Sequence, residues 1–353
     1  MILYYRIILR YYQAKAERRF ILENSRLENV APNTGTNEIV NENLKTNLLG
    51  ISHETEKRLA YLSDLANVLY PQLCDAAEGD VFLSCTEDAV RRAYMNALSM
   101  PLSDETDADE VNKHDAAFRS DLLLRSDRYF LCKKMVEMTG VQYTQKNFAQ
   151  VLFGDSPDLA PKDRKIAFVR NIQSGKAFEC FAKYVFGAMT AYRDSFALAC
   201  ESVADGDCTY GILPLRNSVD GRLSAFYKML DKHELGVLLC CDIENQNGDT
   251  TRYALVYARN GVMSARGSLK LECRISFEDP ADIGGITEMA RFFGVETDSI
   301  DSVTDGRGGT EPSFAICFSL DCENAAGFIF CLQMEYPQVL PIALYTQIEG
   351  AKS

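Results

Sequence analysis

The sequence predicts a multidomain protein of mixed α/β and α+β class: a helical N-terminal domain, an α/β layer, and a C-terminal ferredoxin-like βαββαβ unit. Three observations predict it. Residues 50–155 carry apolar groups at helical spacing. Residues 165–258 alternate short apolar runs with helical ones, and from Gly267 the order becomes strand, helix, strand, strand, helix, strand. A chain of 353 residues has room for two or three domains. The expected boundaries are 1–49 for an N-terminal helix and linker, 50–160 for the helical domain, 161–262 for the α/β domain and 263–353 for the βαββαβ domain.

Met1 to Leu22 is aromatic and basic, with Tyr4, Tyr5, Arg6, Arg10, Tyr11 and Tyr12. It is too short and interrupted to span a membrane and has no small-residue cleavage site, so it does not read as a signal peptide. It reads as an amphipathic helix packed on its own chain or a partner, with a helix lying on a membrane surface as the alternative. Asn24 to Asn47 is polar and reads as a linker. Helices follow over Glu54–Ala77, with Pro71 inside, from a Thr86 cap to Leu98, over His114–Thr139, and over Gln145–Leu152. Pro157–Asp163 is a second linker.

Strands are then expected at Lys165–Val169, Tyr210–Leu215, Gly236–Cys241 and Tyr253–Ala258. Helices are expected at Ala177–Phe186, Ser195–Ala204 and Gly221–His233, together a largely parallel layer. The last unit has strands at Leu269–Ser276, Ser299–Val303, Phe314–Leu320 and Val339–Tyr345, with helices at Ala281–Phe293 and Asn324–Met334.

Composition narrows the function. The net charge is −13 and the pI about 4.9, which disfavours nucleic acid and anionic membrane as partners. None of the 12 cysteines stands in a C-x-x-C pair, and many lie in apolar runs. They read as reduced core thiols of a cytoplasmic protein. The three histidines, His53, His114 and His233, are scattered, so no metal and no cofactor are expected.

The stretch Tyr210 to Gly221 is the most informative. An apolar strand leads into Asn217 and Ser218, both favoured helix N-caps, and then into Gly221 and a helix. Such a turn directs free N–H groups at one spot, which suits a carboxylate or phosphate. An ordinary capped turn is the other reading.

These residues resemble the prephenate dehydratases. That family ends a strand with Y-G-(V/I)-(L/V)-P-(I/L), followed by E-N-S and a glycine. Here Tyr210–Leu215 is followed by Arg216, Asn217, Ser218 and Gly221. The family's T-R-F mark corresponds to Thr251-Arg252-Tyr253. The resemblance runs over about residues 165 to 348, and its motifs occur in the family's order. It implies a periplasmic-binding-protein-like α/β layer followed by an ACT regulatory domain. The family's P-G-A-L stands here as Pro280, Ala281, Asp282 and Ile283, and its E-S-R-P begins here as Asp301-Ser302. In the family these segments line a phenylalanine site at a subunit interface.

The family converts prephenate to phenylpyruvate, water and carbon dioxide. By resemblance Thr251 is the proton donor, Arg252 grips a carboxylate, and Asn217 and Ser218 share their cleft. Three departures bear on this. The family Glu is Arg216, an early Ser or Thr is Glu179, and only 34 positions separate Asn217 from Thr251, where the family holds a whole second lobe with an S-H-P-Q motif. The layer is therefore read as truncated.

The expectation is a prephenate dehydratase-like protein of phenylalanine biosynthesis, catalytically impaired and acting in regulation or ligand binding. It would bind prephenate or phenylalanine, without nucleic acid or membrane, as a homodimer or higher homo-oligomer. Two alternatives stand beside it. One is an active dehydratase whose helical domain replaces the missing lobe or resembles the chorismate mutase fused to some relatives. Against the mutase, residues 54–79 carry Lys57 and Arg58 but no later basic residue. The other alternative is a non-catalytic oligomerisation scaffold.

Overall fold

A computed structural model describes residues 36–77, 79–99, 124–154, 164–258, 261–276, 281–303 and 313–351. The chain divides into two compact units, Met1–Asn67 and Val68–Ser353. Helix α1 (Thr36–Ala76) carries the described part of the first unit and the start of the second. It overturns the 36–47 part of the linker expected over 24–47, whose first part lies outside the described residues. That segment is polar in composition, but Val40, Leu44, Leu48 and Ile51 recur at steps of four, four and three, the helical repeat. The expected helix at Met1–Leu22 lies outside the described residues, as does the first part of the one expected from His114.

The second unit continues with α2 (Asp88–Ser99), α3 (Arg125–Met138) and α4 (Gln145–Phe153). Strand β1 (Lys165–Val169), α5 (Ile172–Ala182), β2 (Met189–Arg193) and α6 (Phe196–Ala204) follow. Next come β3 (Tyr210–Asn217), β4 (Gly221–Arg222), α7 (Ser224–His233), β5 (Gly236–Glu244) and β6 (Thr250–Tyr257). The chain closes with β7 (Ser268–Ser276), α8 (Ala281–Phe293), β8 (Glu296–Val303), β9 (Ser313–Ser319), α9 (Ala325–Glu335) and β10 (Leu340–Ala351).

Local chemistry explains many boundaries. Asn171 caps α5 by accepting from the Ser174 N–H at 2.8 Å, and Ser195 caps α6 by accepting from the Leu198 N–H at 3.2 Å. Lys232 and His233 close α7, where cations suit the negative helix end. Strand β2 escaped sequence reading because it is a short edge strand, largely exposed, with no apolar run.

All ten described strands form one sheet in the order β2-β1-β3-β6-β5-β10-β7-β9-β8, with β4 paired to β3. Only β1 with β2, β1 with β3, and β10 with β5 are parallel. The largely parallel layer expected over 165–258 is thus a mixed one. The reason is the loop Asn245–Asp249, in which Asn245 Oδ1 accepts from the N–H groups of Asn247 and Asp249 at 2.8 and 2.9 Å. So short a connection turns β5 back on itself as an antiparallel hairpin with β6.

Helices α6 and α7 cover one face of the first half, through Ala199, Val203, Leu213, Tyr227, Leu230 and Tyr345. Helix α5 covers the other, through Phe168, Phe181, Ile212, Leu239 and Ile348. The last four strands pair as β10-β7-β9-β8, antiparallel throughout. Phe318 of β9 meets Phe328 of α9 edge to face, with ring centroids 5.0 Å apart. Helices α2 and α3 are pinned to the far side of this half: Glu335 accepts from Tyr94 Oη at 2.5 Å and Arg128 Nη1 at 3.1 Å. Tyr129 Oη donates to the Gly285 carbonyl at 3.1 Å. Ten of the twelve cysteines are buried in these cores. No helix among the described residues is long and apolar enough to cross a membrane.

Candidate functional site

The expected site begins at the end of β3. Asn217 Oδ1 accepts from the Val219 N–H at 3.0 Å and from the Asp220 N–H, and its Nδ2 donates to Asp220 Oδ2 at 2.8 Å. This is an Asx turn, with Gly221 at φ 70° completing the reversal. Ser218 ties the turn to β6: its N–H donates to the Thr250 carbonyl at 2.8 Å, and its Oγ accepts from the Thr250 N–H at 3.0 Å. The helix starts only at Ser224, after β4 has paired back on β3. Asn217 and Ser218 therefore cap a turn and not a helix, which corrects the N-cap expectation. The cause is Gly221, whose positive φ lets the chain form a second short strand before the helix begins.

Strand β6 carries the other two residues. Thr251 is the register partner of Asn217 on β3 and of Ile243 on β5. Arg252 follows it in an uninterrupted strand, so the two side chains leave opposite faces of the sheet. The fold thus brings Thr251 beside Asn217 and takes Arg252 away from them. Arg252 closes on Asp242, Nε to Oδ1 at 2.8 Å and Nη2 to Oδ2 at 3.1 Å. Gln347 Nε2 adds a third donor to Asp242 at 2.8 Å. Burial works against the Arg252 charge, but the Asp242 hydrogen bonds and neighbouring groups outweigh it and hold the guanidinium above its ordinary pKa. Its side-on Nε/Nη2 edge is filled from within the chain.

Arg216, the charge-reversed position, reaches the second half of the sheet. Its Nη1 donates to Asp301 Oδ2 at 2.6 Å and Ser299 Oγ at 3.3 Å. Asp301 is one of the expected effector residues, so the charge-reversed position pairs with the segment that matches the family's E-S-R-P. Ser302 is exposed on β8 and Ile283 is half-buried near the start of α8. Ala281 and Asp282 open that helix, and Pro280 lies outside the described residues. Ser276 and Val303 both pair with Ser313. The end of β7 and the end of β8 therefore flank the start of β9, at one end of these strands. Glu179 is exposed on α5.

Sequence reasoning missed Asp242 and Gln347. Asp242 could have been found: Asn247-Gly248 is a hairpin-turn signal, and a symmetric pairing about it sets Asp242 opposite Arg252. Gln347 could not, since it arrives from β10. No three His, Cys, Asp or Glu side chains among the described residues are grouped to hold a metal ion.

No family model matches the chain, and no curated protein does. Among solved structures it is similar to prephenate dehydratases. That of Streptococcus mutans is 14% identical with a TM-score of 0.45, the match covering 52% of this chain and 99% of that one. The enzyme of Arthrobacter aurescens, in complex with L-Phe, is 15% identical with a TM-score of 0.40, covering 52% of this chain and 90% of that one. A further similar structure is GqqA, described as a novel type of quorum quenching acylase, at 18% identity and a TM-score of 0.42, covering 52% and 95%.

Proposed function

We propose that this chain is a prephenate dehydratase-like protein of phenylalanine biosynthesis that does not dehydrate prephenate and serves in ligand binding or regulation. Its last four strands and two helices are read as an ACT-like domain. The order of the Tyr210–Gly221 and Thr251–Tyr253 motifs, and the β10-β7-β9-β8 pairing around α8 and α9, support that reading.

One observation carries the expected loss of turnover: the side-on Nε/Nη2 edge of the Arg252 guanidinium is occupied by Asp242. A proton-donating Thr251 without a carboxylate clamp on its own face has no means of orienting a dicarboxylate substrate. The helical segment does not favour the reading in which it supplies the missing wall, because α3 and α4 pack against α8, α9 and β10.

The test is phenylpyruvate formation from prephenate by the purified chain, beside Thr251→Ala. No turnover in either is expected, together with a rise in unfolding temperature on adding phenylalanine. Turnover that vanishes in Thr251→Ala would overturn the reading.

A further inference from the structure

A second arginine site lies where the β3–β4 turn and α7 meet the face of β7 opposite α9. Register pairs Leu271 with Phe318 and Cys273 with Ile316, and Phe318 faces α9. By strand alternation Glu272 and Arg274 face the opposite side. There the Arg222 guanidinium lies over the Tyr227 ring, 3.4 Å from its centroid. The Arg222 side chain is 6% exposed. Its Nη1 donates to Glu272 Oε1, and the other Glu272 oxygen accepts from Tyr227 Oη at 3.0 Å. One edge of the guanidinium is thereby fixed.

The other edge is not. Arg222 Nε and Nη2 are buried without an acceptor among the described residues, and so is Nε of Arg274. Arg274 is held by its Nη2, which donates to Asp231 Oδ2 at 3.2 Å. Buried charged donors without acceptors are costly and uncommon in folded chains. The Nε/Nη2 edge left open on Arg222 is the edge Arg252 presents to Asp242, so this chain itself shows which group fits it. Burial works most strongly against the Arg222 charge and the neighbouring Arg274 charge adds to it, while Tyr227 and Asp301 support it. The Arg222 side chain is buried, while Asp231, which holds Arg274, reaches solvent with its side chain 52% exposed.

We propose that Arg222 Nε and Nη2, with Arg274 Nε, seat the carboxylate of a small organic acid entering past Asp231. The seat rests on the ligand-binding reading above and deepens it by naming the group that is bound. It is separate from Thr251, which leaves the opposite face of the sheet from Arg252.

The experiment compares unfolding temperature in sodium acetate and in sodium chloride at equal ionic strength. Chloride, a single-point acceptor, cannot span the fork. Acetate is expected to raise the midpoint of the unmodified chain above its value in chloride. The difference should disappear in Arg222→Lys, which keeps the charge and loses the fork, and persist in Thr251→Ala. No acetate-specific rise in the unmodified chain overturns the seat. So does a rise that survives Arg222→Lys, although carboxylate binding elsewhere would then leave the broader reading intact. Should Arg222→Lys fail to fold, Arg274→Lys decides: a reduced acetate effect supports the seat and an unchanged one overturns it. Prephenate turnover, the failure of the broader reading, is read in a separate assay.

Discussion

Thr251 and Arg252 are neighbours in the chain and face opposite sides of the sheet, and that single alternation separates a hydroxyl from its expected clamp. Arg252 then becomes a structural residue. Its bonds to Asp242 are the side-on, two-point kind that hold geometry as well as charge. Removing the acid leaves a half-buried guanidinium without its acceptor. Asp242→Ala is expected to lower stability by about 1–3 kcal/mol in urea unfolding. Asp242→Asn, which keeps one acceptor, should cost less. Asn217 and Ser218 were recognisable in the sequence as turn-forming residues, and they do form a turn. Which N–H groups they bind could not be read, because that depends on Gly221 turning the chain into β4 before the helix begins.

Among the elements, β10 does the joining. Its first part pairs antiparallel with β7 and its last part parallel with β5, so one strand merges both halves into one sheet. The register shifts between Ile348 and Ala351, and Gly350 lies in that irregularity. A Cβ at Gly350 would overlap the Asp242 backbone carbonyl, and backbone cannot step aside as a flexible side chain can. Gly350→Ala is expected to cost roughly 2 kcal/mol or more, read as a lower urea midpoint. Gly284→Ala is the control. It sits in α8 with nothing within 4 Å of the added methyl, and alanine is the better helix former, so stability should hold or rise by up to about 1 kcal/mol.

For the molecule as a whole, the buried thiols set an alkaline limit. Burial pushes Cys200 up to about 11 and Cys85 up to about 12, from an ordinary value of 9.0. The unfolded chain therefore releases these protons first as pH rises. The contribution of the neutral thiols is complete below about pH 9 and is lost as pH climbs through the folded values. Stability should fall above about pH 9 by on the order of 1 kcal/mol per pH unit for each such thiol. Chemical unfolding at a series of pH values would show it. Cys200→Ala should be less stable at neutral pH, through its small cavity, but should have a shallower alkaline slope.

Sequence alone determined what is local. Apolar spacing located most strands and helices of the 165–351 region, the βαββαβ order of the last unit, and the turn at Asn217. Each of these depends on residues a few positions apart, which composition and period record directly. Where composition and period disagreed, as over Thr36–Asn47, composition misled. Tertiary structure decided the rest: the pairing of β10 with β5, the ion pair of Arg216 and Asp301 across 85 residues, and the meeting of Arg222, Glu272 and Arg274. Those depend on which strand edges find each other. A pattern of period two or three to four fixes the face a side chain leaves by, but carries no record of the distant strand it will meet there.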